Sequence, residues 1–345
     1  MKLPVKYLLV SIGFSLVTYY SAADASTYQF TTLDITGSKS GTTMASGLNN
    51  NGDVTGVYAD NVGNHGFILN GSTLTTLDDP KAQNNGSALT GWGTYALSNN
   101  NLGYVVGDYY NATSRGANGF LYHGGVYTDI LYGTAGTTAV GINDSNQIVG
   151  FTLVTTDKAT HGYVDDSGAF TLIDDPNAGN LLNQGTLPDS INNAGVVVGN
   201  YVDTNNQSHG FTESKGVFTT LDDPNASAGE FPVGGTYLSH INNNGVITGT
   251  YINNAVMHAF IYDQGVFTDI NDPHLLPTAA TPNTNGYGVW LGGINDANQL
   301  VGWTSDSSGV NGFTADLLTL PLPSPGLLFA GTLALAMGLR GKNRA

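Results

Sequence analysis

The residues best suited to chemistry recur at fixed places along the chain. Adjacent carboxylates stand at Asp78-Asp79, Asp174-Asp175 and Asp222-Asp223, with Asp272 in the same register. Two carboxylates can divide acid and base work, but neighbours on a β-strand point to opposite faces, so an adjacent pair makes a poor dyad. Each also precedes a proline, where an Asp side chain accepts the backbone N–H groups of a turn. A turn role is therefore the preferred reading and no cofactor is expected, with calcium at these strand ends as the alternative. His65, His161, His209 and His258 share a second repeated position, filled by Asn118 and Asn311 in two further copies. Four imidazoles invite a metal. In a repeat protein, however, each belongs to a different unit, too far apart to share an ion through bonds of ~2 Å. A polar side chain that hydrogen-bonds locally suits His and Asn equally.

Other motifs are weaker. The segment Asn49 to Asp53, NNNGD, resembles part of an EF-hand loop but lacks the alternating acids and the distant Glu. No G-x-S-x-G, H-E-x-x-H or P-loop occurs. An enzyme built on repeats should bring unrepeated acids or bases to the axis, and Asp189, Glu230 and His240 are the candidates, with no motif around them. A Gly-Thr step recurs at Gly41, Gly93, Gly136, Gly185 and Gly235, with Gly288-Val289 in the sixth copy. The next residues are Thr43, Tyr95, Thr138, Leu187, Tyr237 and Trp290. At the start of an innermost strand these six would ring the mouth of a central channel. Three aromatics there, with Trp92 and Tyr287 nearby, make a platform for a sugar or an apolar ligand. Packing between units is the competing reading.

The elements that position these residues follow from the repeat. Gly56, Gly107, Gly150, Gly199, Gly249 and Gly302 each follow an apolar residue by two and are spaced 51, 43, 49, 50 and 53 residues apart. That period suits propeller blades. In each copy a strand ends at Leu48, Leu97, Ile142, Ile191, Ile241 or Ile294, and an Asn-rich turn follows, since Asn and Gly tolerate positive φ. A V-x-G-x-Y strand, a strand of the H-G-F type and a strand of the F-T-T-L-D-D-P type complete the copy. Four antiparallel strands stacked around an axis predict an all-β fold, a six-bladed β-propeller. The repeats run near 43–80, 93–131, 136–176, 185–224, 235–273 and 288–317. The sixth lacks its last strand, while residues 28–34 hold Phe30-Thr31-Thr32-Leu33-Asp34, identical to Phe218 to Asp222. This predicts an N-terminal strand that closes the ring beside Phe313.

Repeats of the form I-N-N-x-G-x-V-x-G, then H-[AG]-F, then G-x-[FY]-T-x-[LI] resemble the HAF repeats of extracellular bacterial proteins. The triplet stands here as His258-Ala259-Phe260, and the resemblance covers about Thr43 to Leu317. It implies an exported repeat protein and assigns no activity.

Both ends read as addresses. Residues 1–25 have two lysines, an apolar run from Tyr7 to about Val17 and an A-x-A site, which predicts a secretory signal cleaved after Ala25. An uncleaved anchor would need an apolar run of ~20 residues. Residues 321–345 hold a Pro-rich motif, an apolar segment and a basic tail. This order resembles the PEP-CTERM sorting signals of Gram-negative bacteria, with Pro321-Leu322-Pro323 in place of Pro-Glu-Pro. The resemblance implies an exosortase-type processing enzyme and transient membrane contact, with Arg340 on the cytoplasmic side. A plain C-terminal anchor is the alternative.

Between them, residues 26–320 carry 25 acidic and 5 basic residues, a charge of −20. That field repels phosphate backbones and argues against nucleic acid. There is no cysteine. The sequence therefore predicts a monomeric, non-catalytic propeller at the cell surface or in the extracellular matrix, binding a glycan or a surface protein. A propeller hydrolase or lyase acting on extracellular polysaccharide and a purely structural envelope protein are the alternatives.

Overall fold

A computed structural model describes residues 28–33, 35–83, 92–111, 117–132, 136–153, 159–230, 234–254, 256–270, 288–306 and 309–317. The segments read as addresses, with Ala25, Pro321, Leu322, Pro323 and Arg340, lie outside the described residues, as do Asp272 and Tyr287. The described residues are all-β: 24 strands and no helix. None of them belongs to a helix long and apolar enough to cross a membrane.

The strands fall into runs of four. After β1 (Tyr28–Leu33), unit 1 comprises β2 (Thr43–Leu48), β3 (Val54–Ala59), β4 (Asn64–Asn70) and β5 (Thr73–Leu77). Unit 2 comprises β6 (Gly93–Asn99), β7 (Val105–Tyr110), β8 (Asn118–His123) and β9 (Val126–Ile130). Unit 3 is β10 (Thr137–Ile142), β11 (Gln147–Leu153), β12 (Thr160–Asp166) and β13 (Ala169–Ile173). Unit 4 is β14 (Gly185–Ile191), β15 (Val197–Val202), β16 (Ser208–Ser214) and β17 (Val217–Thr220). Unit 5 is β18 (Gly235–Ile241), β19 (Ile247–Asn253), β20 (Val256–Asp263) and β21 (Val266–Ile270). Unit 6 holds β22 (Gly288–Ile294), β23 (Leu300–Asp306) and β24 (Gly309–Leu317). Its fourth strand is β1, which pairs antiparallel with β24 from Tyr28 opposite Leu317 to Leu33 opposite Gly312. The Phe30 ring meets Phe313 edge-on at 5.1 Å.

The apolar cores lie between units rather than within them. Val106 of unit 2 joins Ile142, Ile148 and Tyr163 of unit 3. Val198 of unit 4 joins Ile241, Ile247 and Phe260 of unit 5. Val301 of unit 6 joins Ala45, Val54 and Phe67 of unit 1. A single twisted sheet has two faces to cover, and each unit covers its neighbour's. Phe67, Phe120, Tyr163, Phe211 and Phe260 are fully buried at one repeated position. Each such ring is worth about 2–3 kcal/mol of burial.

Beside these rings the repeated glycine is required by space. A Cβ at Gly56, Gly107, Gly150, Gly199, Gly249 or Gly302 would collide with the carbonyl oxygen two residues before the bulge in the paired innermost strand, that of Met44, Tyr95, Thr138, Leu187, Tyr237 or Trp290 in turn. Each innermost strand carries that bulge, skipping Ser46, Leu97, Val140, Asp189, Ser239 and Gly292 in turn. The bulge corrects one sequence expectation. In the second copy the strand does not end at Leu97, which is the bulged residue, but runs on to Asn99, level with Leu48 and Ile142.

Candidate functional site

At the end of the innermost strands two circuits of hydrogen bonds run around the molecule. In the inner one Asn49 Nδ2 donates to Asn100 O, Asn100 to Asn143 O, Asn143 to Asn192 O and Asn192 to Asn242 O. Asn242 then donates to Asn295 O, and Asn295 returns to Asn49 O at 3.5 Å. Each of these buried side chains also accepts, through Oδ1, two N–H groups of its own turn; for Asn242 the donors are Asn244 and Val246, both at 3.0 Å. The first Asn of the repeat is thus kept for bonding, and the positive φ falls three residues later, at Gly52, Gly103, Asn146, Gly195, Gly245 and Asn298. The same turn disposes of the EF-hand likeness. Asn49 Oδ1 accepts the Asn51 and Asp53 amides, and its Nδ2 is bonded to Asp53 Oδ2 at 3.0 Å.

The outer circuit runs one residue further on. The amides of Asn50, Asn101, Asp144, Asn193, Asn243 and Asp296 each donate to Oδ1 of the next residue in that order, and Asp296 returns to Asn50, all at 2.8–2.9 Å. The two carboxylates lie three units apart, and each Oδ2 accepts two Asn side chains. Burial works against the charge of Asp144, but Asn193 and the backbone and side chain of Asn101 prevail and hold its carboxyl below the usual range.

The residues of both circuits, with the strand ends beside them, line a cavity of about 70 Å³. Its lining includes Ser98, Ser190 and His240, and one residue further along each strand Leu48, Asn99, Ile142, Ile191, Ile241 and Ile294. Burial lowers the His240 pKa to about 4, so its imidazole is neutral at pH 7. Of the unrepeated candidates, Asp189 is also deep, on the neighbouring innermost strand, with burial raising its pKa well above the ordinary value against a 2.7 Å bond from Asn200. Glu230 is exposed between units 4 and 5. Asp189 is bonded by Asn200, and among the described residues it shares no hydrogen bond with His240.

Of the six residues expected at the starts of the innermost strands, five share one register and one does not. Tyr95, Thr138, Leu187, Tyr237 and Trp290 share one register, each directly before the residue that precedes the bulge. In unit 1 that position belongs to Met44. Thr43 is instead level with the buried Thr94, Thr137, Thr186 and Thr236, opposite Tyr58 as Thr94 is opposite Tyr109. Tyr95, Tyr237 and Trp290 are half-buried. Trp290 stacks on Trp303 with ring centroids 5.8 Å apart and 13° between planes, and Tyr95 meets Tyr110 edge-on at 5.6 Å. Trp92, close before β6, is half-buried as well.

The Asp pairs have two separate tasks. The first Asp bonds the repeated His: His65 to Asp78 at 2.7 Å, His161 to Asp174 at 3.0 Å and His209 to Asp222 at 2.7 Å. The rings of His65, His209 and His258 also stack on Tyr58, Tyr201 and Tyr251. The second Asp fastens units together. The amides of Asp79, Asp175 and Asp223 donate to the hydroxyls of Thr94, Thr186 and Thr236 in the next unit. Among the described residues no three His, Asp or Glu side chains come together to hold a metal ion.

No family model matches the sequence, for the HAF repeats or for the sorting tail, and no curated protein matches it. Among solved structures the chain is similar to β-propeller proteins. The fucose-specific lectin from Aleuria aurantia is 12% identical over 66% of this chain and 76% of its own, with a TM-score of 0.40. The Trypanosoma rangeli sialidase in complex with the inhibitor DANA is 9% identical over 87% of this chain and 57% of its own, at 0.43. The PQQ-bound aldose sugar dehydrogenase from Streptomyces coelicolor is 10% identical over 84% of this chain and 98% of its own, at 0.39. What is said of the fold rests on the strand pairing and the hydrogen-bond circuits.

Proposed function

We propose that the chain is a six-bladed β-propeller, closed by its N-terminal strand, that serves as an exported, non-catalytic binding module for carbohydrate at the cell surface or in the extracellular matrix. The observation that carries this reading is the aromatic register. Tyr95, Tyr237 and Trp290 stand at equivalent places on three innermost strands, half-exposed, two of them braced by a second ring from the neighbouring strand. Rigid aromatic faces stack on the C–H faces of sugars at small cost in side-chain entropy. Closure is supported by the pairing of β1 with β24 and by the parallel bridge between Thr42 and Val310, which joins the last unit to the first. The HAF-type repeats, the leader ending at Ala25 and the Pro321-Leu322-Pro323 tail belong to the same reading, with an exosortase-type enzyme as the processing partner.

The test is retention of the purified protein on immobilised glycans, with Trp290→Ala beside the wild type. Retention that drops at least tenfold in the variant supports the aromatic site, and equal retention removes it. Mass spectrometry of the protein recovered from cells checks the address. A species that still carries residues beyond Pro323 is incompatible with sorting by cleavage.

A further inference from the structure

Where a feature recurs in every unit it serves the fold, so the informative places are those where one unit departs from the rest. Two departures meet in the axial cavity. The residues directly after the bulge are Gly47, Ser98, Gly141, Ser190 and Gly293, and in unit 5 alone this place holds a large side chain, His240. One residue on, the wall is aliphatic in five units and polar only at Asn99. Both ring nitrogens of His240 and Oδ1 of Asn99 are buried without a partner among the described residues. The amide nitrogen of Asn99 is engaged, donating to Asp53 O at 2.9 Å.

Units 2 and 5 are three apart in a circuit of six, so Ser98 and Asn99 lie across the axis from His240. A buried ring nitrogen or amide oxygen left without a partner loses its hydration with nothing in return. Such groups are normally met by water or by a ligand. His240 fronts the cavity, and a half-turn about its Cβ–Cγ bond exchanges ring carbons and nitrogens at little steric cost.

The surroundings select the occupant. Asp144 and Asp296 at the rim repel anions. A metal ion lacks a third ligating side chain. A neutral imidazole needs both a donor and an acceptor, which a hydroxyl group supplies. The volume of about 70 Å³ leaves room for a handful of non-hydrogen atoms, since one water needs roughly 10–15 Å³ on this measure. We propose that the axial cavity is a binding site for a small neutral polyhydroxy compound, hydrogen-bonded by the His240 imidazole on the side that faces Asn99. The site is independent of the aromatic end.

Saturation-transfer NMR on the intact chain tests this with glycerol, myo-inositol and D-glucose as probes, and methylammonium and acetate as charged controls. His240→Ser and Asn99→Ile place at each position a residue that other units already carry there, so both variants should fold. Saturable transfer to at least one neutral probe is expected, at least tenfold weaker in both variants and unchanged in Trp290→Ala. No saturable transfer from any neutral probe, equal affinity in the two variants, or binding of a charged control instead would overturn the proposal. So would a crystal soaked in the probe that shows only water between His240 and Asn99.

Discussion

At one end of the strands every unit closes its first hairpin with the same buried Asn and hands one amide to its neighbour. At the other, the connections differ in length, and the register two residues before the bulge holds Met44, Tyr95, Thr138, Leu187, Tyr237 and Trp290 in turn. The first end repeats because its bonds join unit to unit, and a single missing link leaves buried donors and acceptors on two units. At the second end the contacts differ from unit to unit: Trp290 stacks on Trp303 of its own unit, while the Tyr95 hydroxyl accepts a bond from Asn64 of unit 1. Uniformity thus marks the fastening, and variation marks the end where the units are free to differ.

The comparison can be broken most severely at the fastening. Deleting residues 28–33 removes the strand beside β24 and uncovers Phe313, which is 3% exposed. A loss of about 4 kcal/mol or more in denaturant unfolding is expected. A loss below 1 kcal/mol would show that β1 does not clasp the ring. Next, Asn242→Ala removes the bond to Asn295 O and two turn bonds, at a cost of about 3 kcal/mol in the same assay.

Acid should find the cavity. The folded His240 pKa of about 4 lies below the model-peptide value of 6.5, so the unfolded chain binds the extra proton between those values. The contribution is fully present above about pH 6.5 and is lost as pH falls towards 4, by up to ~3 kcal/mol. In His240→Ser that part of the pH slope should vanish. Buried Asp108 and Asp189, whose pKa values are raised, act in the opposite direction and are common to both proteins, so the difference between the two curves isolates His240. The smallest effect belongs to the open end. Tyr237→Phe removes the 3.2 Å bond to Gly234 O and should cost no more than ~1 kcal/mol.

Much of the architecture was legible because it rests on local rules. The glycine of V-x-G-x-Y, the His paired with the first Asp and the short Asn-rich turns each have a chemical reason visible in a few residues. Register across a bulge is another matter. The first copy offers Gly41-Thr42-Thr43, in which either threonine can follow the glycine step, and only pairing with Tyr58 identifies Thr43 as the buried one. For the same reason Leu97 looks like the end of a strand in the sequence, although the strand runs on to Asn99. The role of the repeated Asn was only half visible. Its turn could be read, but its bond to a residue about 50 positions away could not, because that bond exists only once the units are arranged around an axis.

The circuits also bear on how such a chain can change its number of repeats. Every amide is handed on in the same rotational sense, from each unit to the one after it, so the last link must return to Asn49 and Asn50. Inserting one more copy by duplication would add a matching donor and acceptor yet change the angle between all neighbours at once. No single junction could absorb the difference. Growth by one copy would therefore pass through an open and weakened form, while exchange of one copy for another would leave the links intact.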